Sequence, residues 1–545
     1  MTEGFYNLGD LIPRDRDLTK TAIIDLGGEQ TPRAFSFAQI DAMANGVARA
    51  LAKRGLRRGD RIAILSANRA EYIAAYYGIM RAGFVAVPVN FKFPRETIHF
   101  ILRDAGAKLV FCDAARAADC PDDLPAVRFG FEESSLRAQR SNPGAVRSAP
   151  GSLRRSAPRN DDQFDTFLDP GPFDAVVPAA NEPAMFLYTS GSTGTPKGVM
   201  LSHQSHIWVV ETRLAPGLDR HRYLIAAPLY HMNALALAKL ACAAHATIVL
   251  LPQFSARAYI EAIGRYRCTW LTAVPPMIAM MLRERDLMAA TDFSSVAFVR
   301  MGSAPVSASL MAALHTALPQ AAVTNAYGTT EAGPVVFGPH PRGLPQPELS
   351  VGYPHPKVSL RLVDGLNRDA QQGVLEMKCP ALMLGYHNAP TLPSPASGGG
   401  KGRGPITADG YYITGDVFRR DGDGFYYFVG RTDDMFVSGG ENIYPADVER
   451  MLERHPGIAQ AAVVPIDDEI KWQKPVAFVI RKPGHMPSED DVKQYALAHA
   501  PAYQHPRFVW FVDDLPLAST NKLDRGALMR MAAERVGNTN RDPSS

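Results

Sequence analysis

The sequence has few of the features that mark secreted, metal-clustered or nucleic-acid-binding proteins. Its 545 residues include five cysteines, without a C-x-x-C pair or metal-like spacing, which favours reduced thiols in the cytoplasm. Basic residues (58) nearly balance acidic ones (55), and the net charge of +3 gives no reason to expect nucleic acid. The N-terminus lacks a signal pattern, and the most apolar long stretch, residues 233–252, is interrupted by Lys239 and His245. No transmembrane segment is therefore predicted.

What the sequence does have is typical of a multidomain globular enzyme. Apolar residues make up 46% and charged residues 21% of a chain that is too long for one ordinary core. From Arg61 onward, short apolar runs alternate with helical patterns, and Asn68 with Glu71 predicts a capping box that starts a helix ending near Arg81. This alternation predicts an α/β fold with parallel sheets flanked by helices.

Two segments interrupt this alternating pattern of strands and helices. Residues 134–160 contain six arginines and no acidic residue. Residues 391–405 are rich in glycine, serine and proline. Such composition cannot bury enough apolar surface to order itself, so both are interpreted as disordered insertions. A basic arm for nucleic acid or membrane is the alternative for the first segment, although it lacks interleaved aromatic residues.

The stretch from Tyr188 to Gly198 is the strongest chemical signal. It reads Tyr-Thr-Ser-Gly-Ser-Thr-Gly-Thr-Pro-Lys-Gly, between two apolar runs. Glycines allow successive N–H groups to point at an anion, while hydroxyls and a lysine add donors and positive charge. A flexible linker is the alternative, but the flanking apolar runs and the lysine count against it. Because Lys197 is followed by glycine and then an extended pattern, the stretch is not a Walker A loop.

Two further polar stretches follow predicted strands. Val296–Met301 ends in Gly302-Ser-Ala-Pro305, and Ala321–Thr324 ends in Asn325-Ala-Tyr-Gly-Thr-Thr-Glu331. Ligands of open parallel sheets bind outside the carboxyl ends of strands, so these stretches are predicted to border one site. Beyond Gly430 the pattern changes to a small α+β segment of about 110 residues after a short polar joint.

Taken together, these motifs resemble those of the adenylate-forming superfamily, in its acyl- and aryl-CoA synthetase branch. Several short motifs in order carry the resemblance: Tyr188–Gly198, Pro228–His231, Gly302–Pro305, Tyr327–Glu331, Thr414–Asp416, Gly430–Asp433, Ser438–Pro445 and Thr520–Lys522. The resemblance implies a large N-terminal domain (1–430) with parallel sheets and a small barrel-like part. It also implies a hinge (431–434) and a small mobile α+β C-terminal domain (435–545).

The chemistry implied by this resemblance has two halves. A carboxylate attacks the α-phosphate of ATP to give an acyl-adenylate and pyrophosphate, and the thiol of coenzyme A then takes the acyl group. The carboxylate and the phosphate are both anions and repel each other. Mg²⁺, a lysine and backbone donors must therefore offset their negative charge. The implied partners are a carboxylic acid, ATP and coenzyme A, and the oligomeric state stays open, a homodimer being one option.

The resemblance also implies a role for each matching residue. Lys522, His231 and Glu331 are the catalytic candidates, with Glu331 also ligating Mg²⁺ through a hard oxygen. Tyr327 is expected to stack on adenine, Asp416 and Arg431 to hold the ribose, and Gly439 and Gly440 to shape the pantetheine tunnel. The complete set of predicted nucleotide- and coenzyme-binding residues is Thr189, Ser190, Gly191, Ser192, Thr193, Gly194, Lys197, Gly302, Ser303, Ala304, Asn325, Ala326, Tyr327, Gly328, Thr329, Thr330, Asp416, Arg431, Gly439 and Gly440.

Each of these roles has a structural alternative. Tyr327 could be a core aromatic, His231 a structural histidine, Asp416 and Arg431 a surface ion pair, and Lys522 an exposed lysine. Asn521 stands where relatives usually have glycine, which leaves the backbone shape of that loop open.

The sequence indicates the acid and the thiol acceptor less clearly than it indicates the nucleotide site. Residues 231–233, Gly302, Gly328 and 335–336 are the expected lining of the acid pocket, and because they include no lysine or arginine a monocarboxylic acid is favoured. The alternatives to a coenzyme A ligase are an enzyme that loads a carrier protein, a luciferase-like oxidase and an inactive nucleotide sensor. Retention of Lys522, Glu331, Asp416 and Arg431 argues against the sensor.

Overall fold

The computed structural model describes residues 4–27, 32–130, 162–190, 195–388, 406–438, 441–468, 472–518 and 522–539. The two predicted insertions, 134–160 and 391–405, lie outside the described residues. The same holds for Gly191, Ser192, Thr193, Gly194, Gly439, Gly440 and Asn521.

The chain divides into two compact units. The first covers Met1–Trp270 and Ala381–Leu392, and the second covers Leu271–Pro380 and Pro405–Ser545, apart from short pieces within 393–404. The predicted hinge, residues 431–434, lies inside the second unit, and its role stays a prediction.

A mixed sheet in the first unit carries the phosphate-loop motif. Its central strand Val85–Pro88 is wholly buried, as expected for a strand covered on both faces. Among the described residues the strand order is Gly385–His387, Pro196–Ser202, Pro183–Ser190, Val85–Pro88, Arg61–Leu65, Ala107–Asp113, Ala126–Phe129 and Asp162–Gln163. The last six strands run parallel, and the first two pair antiparallel at one edge.

Another sheet of the first unit is also largely parallel. Strand Thr21–Asp25 pairs parallel with Thr247–Leu250 and antiparallel with Arg33–Ser36, while Arg222–Ile225 pairs parallel with Thr247–Leu250. Helices of this unit lie at Phe37–Ala52, Ala70–Arg81, Arg95–Asp104, Phe164–Phe167, His203–Glu211, Met232–Ala243 and Ala256–Tyr266, with 3₁₀ turns at Ala114–Asp119 and Leu218–Arg220. Strand Trp270–Ala273 contains the boundary between the units.

The predicted capping box at Asn68 is wrong. The helix begins at Ala70 after Arg69, and no side chain caps it. Asn68 is instead buried, donating through Nδ2 to the carbonyls of Ala227 and Leu251 and accepting from the Leu229 N–H. The Asn68 side chain therefore bonds to backbone groups distant in the sequence, although local spacing assigns it to the start of the helix.

The second unit contains the strands that the sequence predicts near residues 296–301 and 321–324. Phe298–Gly302 and Ala322–Ala326 pair in parallel, and helix Ala308–Ala317 lies between them in sequence. Ser307 caps this helix by accepting from the Leu310 N–H. Helices Pro275–Arg283 and Arg285–Ala290 precede these strands.

Three further sheets, mostly antiparallel, complete the second unit. One has the order Ser359–Val363, Gln372–Lys378, Tyr412–Arg420 and Tyr426–Arg431; the pair Phe337–Gly338 and Tyr353–Pro354 stands separately. The third has the order Glu441–Ile443, Phe436–Ser438, Trp472–Arg481 and Ile458–Asp468, with Val509–Phe511 parallel to Trp472–Arg481. Its helices are Pro445–Leu452, Glu489–His499 and Arg525–Thr539, with a 3₁₀ turn at Ala502–Gln504. Sequence patterning did not predict the last of these helices.

The structure confirms the predicted α/β fold with parallel sheets and helices. Within the described ranges, no helix combines the length and the apolar character needed to cross a bilayer.

Candidate active site

A buried carboxylate faces an arginine across two strands of the second unit. Asp416 and Arg431 are directly paired in strands Tyr412–Arg420 and Tyr426–Arg431. Asp416 Oδ1 lies 3.1 Å from Arg431 Nη1, and Asp416 is only 4% exposed. Burial raises the pKa of Asp416, and the charge of Arg431 opposes that rise. The pair is thus a buried acceptor beside a partly exposed donor rather than an ordinary surface ion pair.

Hydrogen bonds of the neighbouring residues Thr414 and Gly415 fix the backbone at Asp416. Its N–H donates to Thr414 Oγ1 at 3.0 Å, and Thr414 Oγ1 in turn donates to the Leu375 carbonyl at 2.8 Å. Gly415 between them has φ +72°, which glycine adopts without strain, and its carbonyl accepts from the N–H and hydroxyl of Thr432. These bonds fix the direction of the Asp416 side chain.

Tyr327 contacts the same carboxylate. Its hydroxyl donates to Asp416 Oδ2 at 2.5 Å, and its ring packs edge-on against Phe418 with centroids 4.8 Å apart. Burial and the neighbouring Asp416 raise the pKa of Tyr327 well above its ordinary value, so the hydroxyl stays a donor. The prediction of stacking on adenine is untested, but the ring already belongs to an aromatic cluster that includes Phe337.

Asp416 Oδ1 accepts no hydrogen bond of acceptable geometry from the described residues. Arg431 Nη1 lies 3.1 Å from this oxygen, but a carboxylate oxygen can accept more than one hydrogen bond, so we expect a ligand donor here as well. A vicinal diol, such as that of a ribose, supplies two such donors. The residues present therefore fit the sugar of a nucleotide.

Lys522 lies within the electrostatic influence of this cluster. It is an exposed residue whose ammonium group is nevertheless surrounded by enough protein to lower its pKa. The charge of Arg431 lowers the pKa further, whereas Asp416 and Glu331 raise it. Its carbonyl accepts from the Ala518 N–H at 2.7 Å. The structure thus places the predicted catalytic lysine near the predicted ribose and metal ligands.

Glu331 lies half-buried in a turn after strand Ala322–Ala326. Mg²⁺ is usually bound by one or two carboxylates together with substrate phosphates and waters, so a single glutamate suits it. In the portion of the chain that the structure describes, no group of three or more acidic, histidine or cysteine side chains is arranged to hold a metal. The donor set therefore fits a metal that is bound jointly with a nucleotide.

The two glycines at the strand ends are required by packing within the protein. A Cβ on Gly302 would lie 2.9 Å from the Ala326 carbonyl oxygen, and one on Gly328 would lie 2.7 Å from Pro334 Cα. Ser303 adopts φ +67°, a left-handed conformation uncommon for a residue with a side chain. These strand ends are therefore tightly constrained.

Side chains of the same strand ends are held by local bonds. Asn325 Nδ2 donates to the Leu349 carbonyl at 3.0 Å, and Thr329 Oγ1 accepts from the Ala332 N–H at 3.0 Å. The predicted adenine-lining roles of Gly302, Ser303, Ala304, Asn325, Ala326, Gly328, Thr329 and Thr330 stay predictions.

In the first unit, the phosphate-loop motif forms a hairpin, here called the phosphate-loop hairpin: strands Pro183–Ser190 and Pro196–Ser202. Thr189 pairs with Lys197 across it, and the residues after Lys197 are extended, as the sequence predicts. Lys197 Nζ lies 5.7 Å from the ring centroid of Tyr386. The hydroxyl of Thr189 and the ammonium group of Lys197, on paired strands, suit a polyphosphate.

His231 immediately precedes helix Met232–Ala243. Its ring packs edge-on against Tyr230, with centroids 4.6 Å apart, and Tyr230 packs in the same way against Phe91. Both a structural and a substrate-orienting role fit this position, so the catalytic role of His231 stays a prediction.

The structure thus groups Tyr327, Glu331, Asp416, Arg431 and Lys522 within one unit, and Thr189 and Lys197 within the other. Sequence reasoning missed the contribution of Thr414, which orients Asp416. It also missed Asp104, whose contact with Tyr188 joins segments far apart in the chain.

Comparison with known proteins agrees with these motifs. The family model described as AMP-binding enzyme matches residues 14–387, and the one described as AMP-binding enzyme C-terminal domain matches residues 447–522. The chain is 31% identical over 512 residues to the fatty acid–[acyl-carrier-protein] ligase ScoC of Streptomyces coeruleorubidus, covering 91% of each. It is 30% identical over 516 residues to 4-coumarate–CoA ligase 3 of Arabidopsis thaliana, covering 91% of this chain and 86% of that one.

The fold is similar to that of a solved ligase structure. The crystal structure of the anthranilate CoA ligase AuaEII in complex with anthranoyl-AMP superposes with a TM-score of 0.78 at 24% identity, covering 97% of each chain. At this identity the likeness concerns the fold.

Proposed function

The chain belongs to the AMP-binding enzyme family, and from this premise we propose that it is an ATP-dependent acyl-CoA synthetase for a fatty or aryl monocarboxylic acid. Membership confirms the resemblance to adenylate-forming enzymes and makes the protein an AMP-forming acid–thiol ligase. The acid and the acceptor thiol are the parts that are proposed. The observation that supports nucleotide binding most directly is buried Asp416, whose Oδ1 lies 3.1 Å from Arg431 Nη1 but accepts no well-aligned hydrogen bond from the described residues.

In the proposed first half-reaction, Asp416 accepts hydrogen bonds from the ribose hydroxyls and Arg431 donates to the same sugar. Tyr327 fixes the other carboxylate oxygen, so Asp416 keeps one orientation when the nucleotide binds. These bonds would favour the reaction by fixing the ribose, which in turn fixes the position of the α-phosphate.

Lys522 would supply the positive charge for the attack. Its ammonium would donate to the acid's carboxylate and to an α-phosphate oxygen, offsetting repulsion between two anions. Burial lowers the pKa of Lys522 because it disfavours the charged ammonium, and bound anions would oppose that effect by stabilising the charge.

The phosphates and metal complete the proposed nucleotide site. Backbone and hydroxyl groups of residues 189–194, with Lys197, would bind the β- and γ-phosphates. Glu331 would hold Mg²⁺, which when bound neutralises phosphate charge.

In the proposed second half-reaction, the coenzyme A thiol attacks the acyl carbonyl and AMP leaves. The C–S bond forms as the acyl–phosphate C–O bond breaks, and the thiol proton is released. Rotation about Asp433 would withdraw Lys522 and present Gly439 and Gly440 to the pantetheine arm. Exchange of loops about a short joint is a well-attested motion in enzymes.

The acid pocket is proposed to accept a monocarboxylate. The predicted lining contains no lysine or arginine that could pair with a second carboxylate. Its small and apolar residues suit an aryl group or a medium-to-long acyl chain.

Transfer to a carrier protein is the second candidate. It is favoured by the 31% identity to a relative described as a fatty acid–[acyl-carrier-protein] ligase. This alternative shares the first half-reaction and differs only in the thiol that receives the acyl group.

A panel of fatty and aryl acids with ATP and Mg²⁺ tests the proposal. Pyrophosphate release that requires both acid and ATP is expected, and adding coenzyme A should yield acyl-CoA and AMP. Acyl transfer to a phosphopantetheinylated carrier protein but not to coenzyme A would select the second candidate. ATP turnover that does not depend on any acid would contradict both.

A further inference from the structure

Asp104 occupies an unfavourable position for an acidic residue. It is the last residue of helix Arg95–Asp104, where the helix dipole disfavours negative charge. It is half-buried, so water screens this charge only in part. Specific partners are therefore needed to offset the cost of placing a carboxylate at this helix end.

Those partners come from two distant segments. Asp104 Oδ2 accepts from the Tyr188 hydroxyl at 2.6 Å, and Oδ1 accepts from Asn388 Nδ2 at 3.3 Å. The Asp104 carbonyl accepts from Asn388 Nδ2 and from His387 Nε2, each at 3.0 Å. One residue thus connects a helix end, the phosphate-loop hairpin and the end of strand Gly385–His387.

Tyr188 carries the connection directly to the phosphate loop. It immediately precedes Thr189 and pairs with Gly198 across the hairpin. A Cβ on Gly198 would lie 2.9 Å from Tyr188 Cζ, so this glycine makes room for the ring. Burial, followed by the hydrogen bond to Asp104, raises the pKa of Tyr188, which keeps its hydroxyl a donor.

The second strand of the hairpin is connected to Asp104 as well. Strand Gly385–His387 pairs with Pro196–Ser202, so the residues that hold the Asp104 carbonyl flank the strand that carries Lys197. The rings of Phe186 and His387 pack with centroids 4.7 Å apart. Both strands of the hairpin are therefore fixed to the same helix end.

We propose that Asp104 is a positioning residue for the triphosphate, because its bonds to Tyr188, His387 and Asn388 fix the base of the phosphate-loop hairpin. This inference rests on the proposed function, in which the loop binds the β- and γ-phosphates. Strands that are already fixed on both sides of a binding loop reduce the conformational entropy lost when a ligand binds there. Asp104 touches neither substrate nor reacting atoms and acts through Tyr188.

Binding of ATP and of AMP to the full-length protein, measured by calorimetry, separates positioning from general stability. Asp104→Ala should weaken ATP binding roughly tenfold, as expected for a lost hydrogen bond to a charged group, while AMP binding changes less than about twofold. Asp104→Asn keeps an acceptor for Tyr188 and should restore most ATP affinity. Tyr188→Phe should match Asp104→Ala, and the double variant should add little.

Glu96→Gln, in the exposed first turn of the same helix, is the matched control and should bind both nucleotides as the parent protein does. Equal weakening of ATP and AMP by Asp104→Ala, or additive effects of the two substitutions, would overturn the positioning role. Unchanged ATP affinity in Asp104→Ala would overturn it too, while leaving the proposed function standing. A parent protein that binds no ATP would overturn both.

Discussion

Asp416 and Arg431 are opposite residues of two antiparallel strands, with Asp416 Oδ1 3.1 Å from Arg431 Nη1. The other carboxylate oxygen is occupied by the Tyr327 hydroxyl. One oxygen is therefore fixed by the protein and the other is left for a ligand, with a guanidinium beside it. We expect the remaining lone pairs of Oδ1 to accept from a bound ligand.

The first prediction concerns this carboxylate. Asp416→Ala should raise KM for ATP roughly 10- to 100-fold, the loss expected when hydrogen bonds to a charged group disappear. Steady-state pyrophosphate release at varied ATP measures it. Asp423→Ala, which removes an exposed carboxylate paired with Arg342, is the control and should leave KM unchanged. An unaltered KM for ATP in Asp416→Ala would show that the sugar is held elsewhere.

How far the sequence predicts this molecule depends on whether local pattern or long-range contact decides a feature. The buried strand Arg61–Leu65 and the extended residues after Lys197 follow from local apolar patterning. Asn68 shows the limit: spacing assigns it to a helix cap, but carbonyls more than 150 residues away bind its side chain.

The residues of the candidate site also differ in whether local pattern or long-range contact reveals them. Motif resemblance finds Asp416, Arg431 and Lys522, since each lies in a short recognisable stretch. It does not find Asp104, because nothing local indicates that Tyr188, 84 residues later, will bind its carboxylate. The only sequence signal is an aspartate at a helix C-terminus, where the dipole disfavours it.

A second prediction separates the two half-reactions. Lys522→Ala should lower the rate of adenylate formation by about 100- to 1000-fold, because the charge that offsets anion repulsion is lost. Thioester formation from supplied acyl-adenylate and coenzyme A should persist. Lys357→Ala, an exposed lysine of the same unit, serves as control. Equal losses in both half-reactions would refute the assignment of Lys522 to the first.

A third prediction concerns the hinge. Asp433→Pro should slow thioester formation more than adenylate formation, because proline fixes φ near −65° and restricts the residue before it. In the described structure the Met435 N–H donates to the Arg431 carbonyl across this turn, and the Thr432 N–H donates to the Gly415 carbonyl; the substitution removes neither donor. Single-turnover rates for each half-reaction provide the measurement. If thioester formation proceeds at the parent rate, rotation about this residue is not needed.

The last prediction uses Lys239, which is fully buried in helix Met232–Ala243 and bonds to His206 Nδ1 at 3.1 Å. Burial, followed by the charge of Arg213, lowers the pKa of Lys239 to about 7. An unfolded lysine titrates near about 10.4, so between these values the unfolded chain binds the extra proton and stability rises with pH. Below pH 7 the lysine is charged in both states, and the destabilisation is constant.

Lys239→Met should remove this penalty, because an apolar chain of similar length replaces a buried cation whose hydrogen bond goes to the neutral ring of His206. The variant should gain up to roughly 4–5 kcal/mol at pH 6, given about 1.36 kcal/mol per pKa unit, and the gain should shrink as pH approaches 10. Urea unfolding of parent and variant at several pH values measures the difference. Lys108→Met, at an exposed position, should show no such trend. A difference that does not vary between pH 7 and 10 would mean that Lys239 keeps its proton in the folded protein.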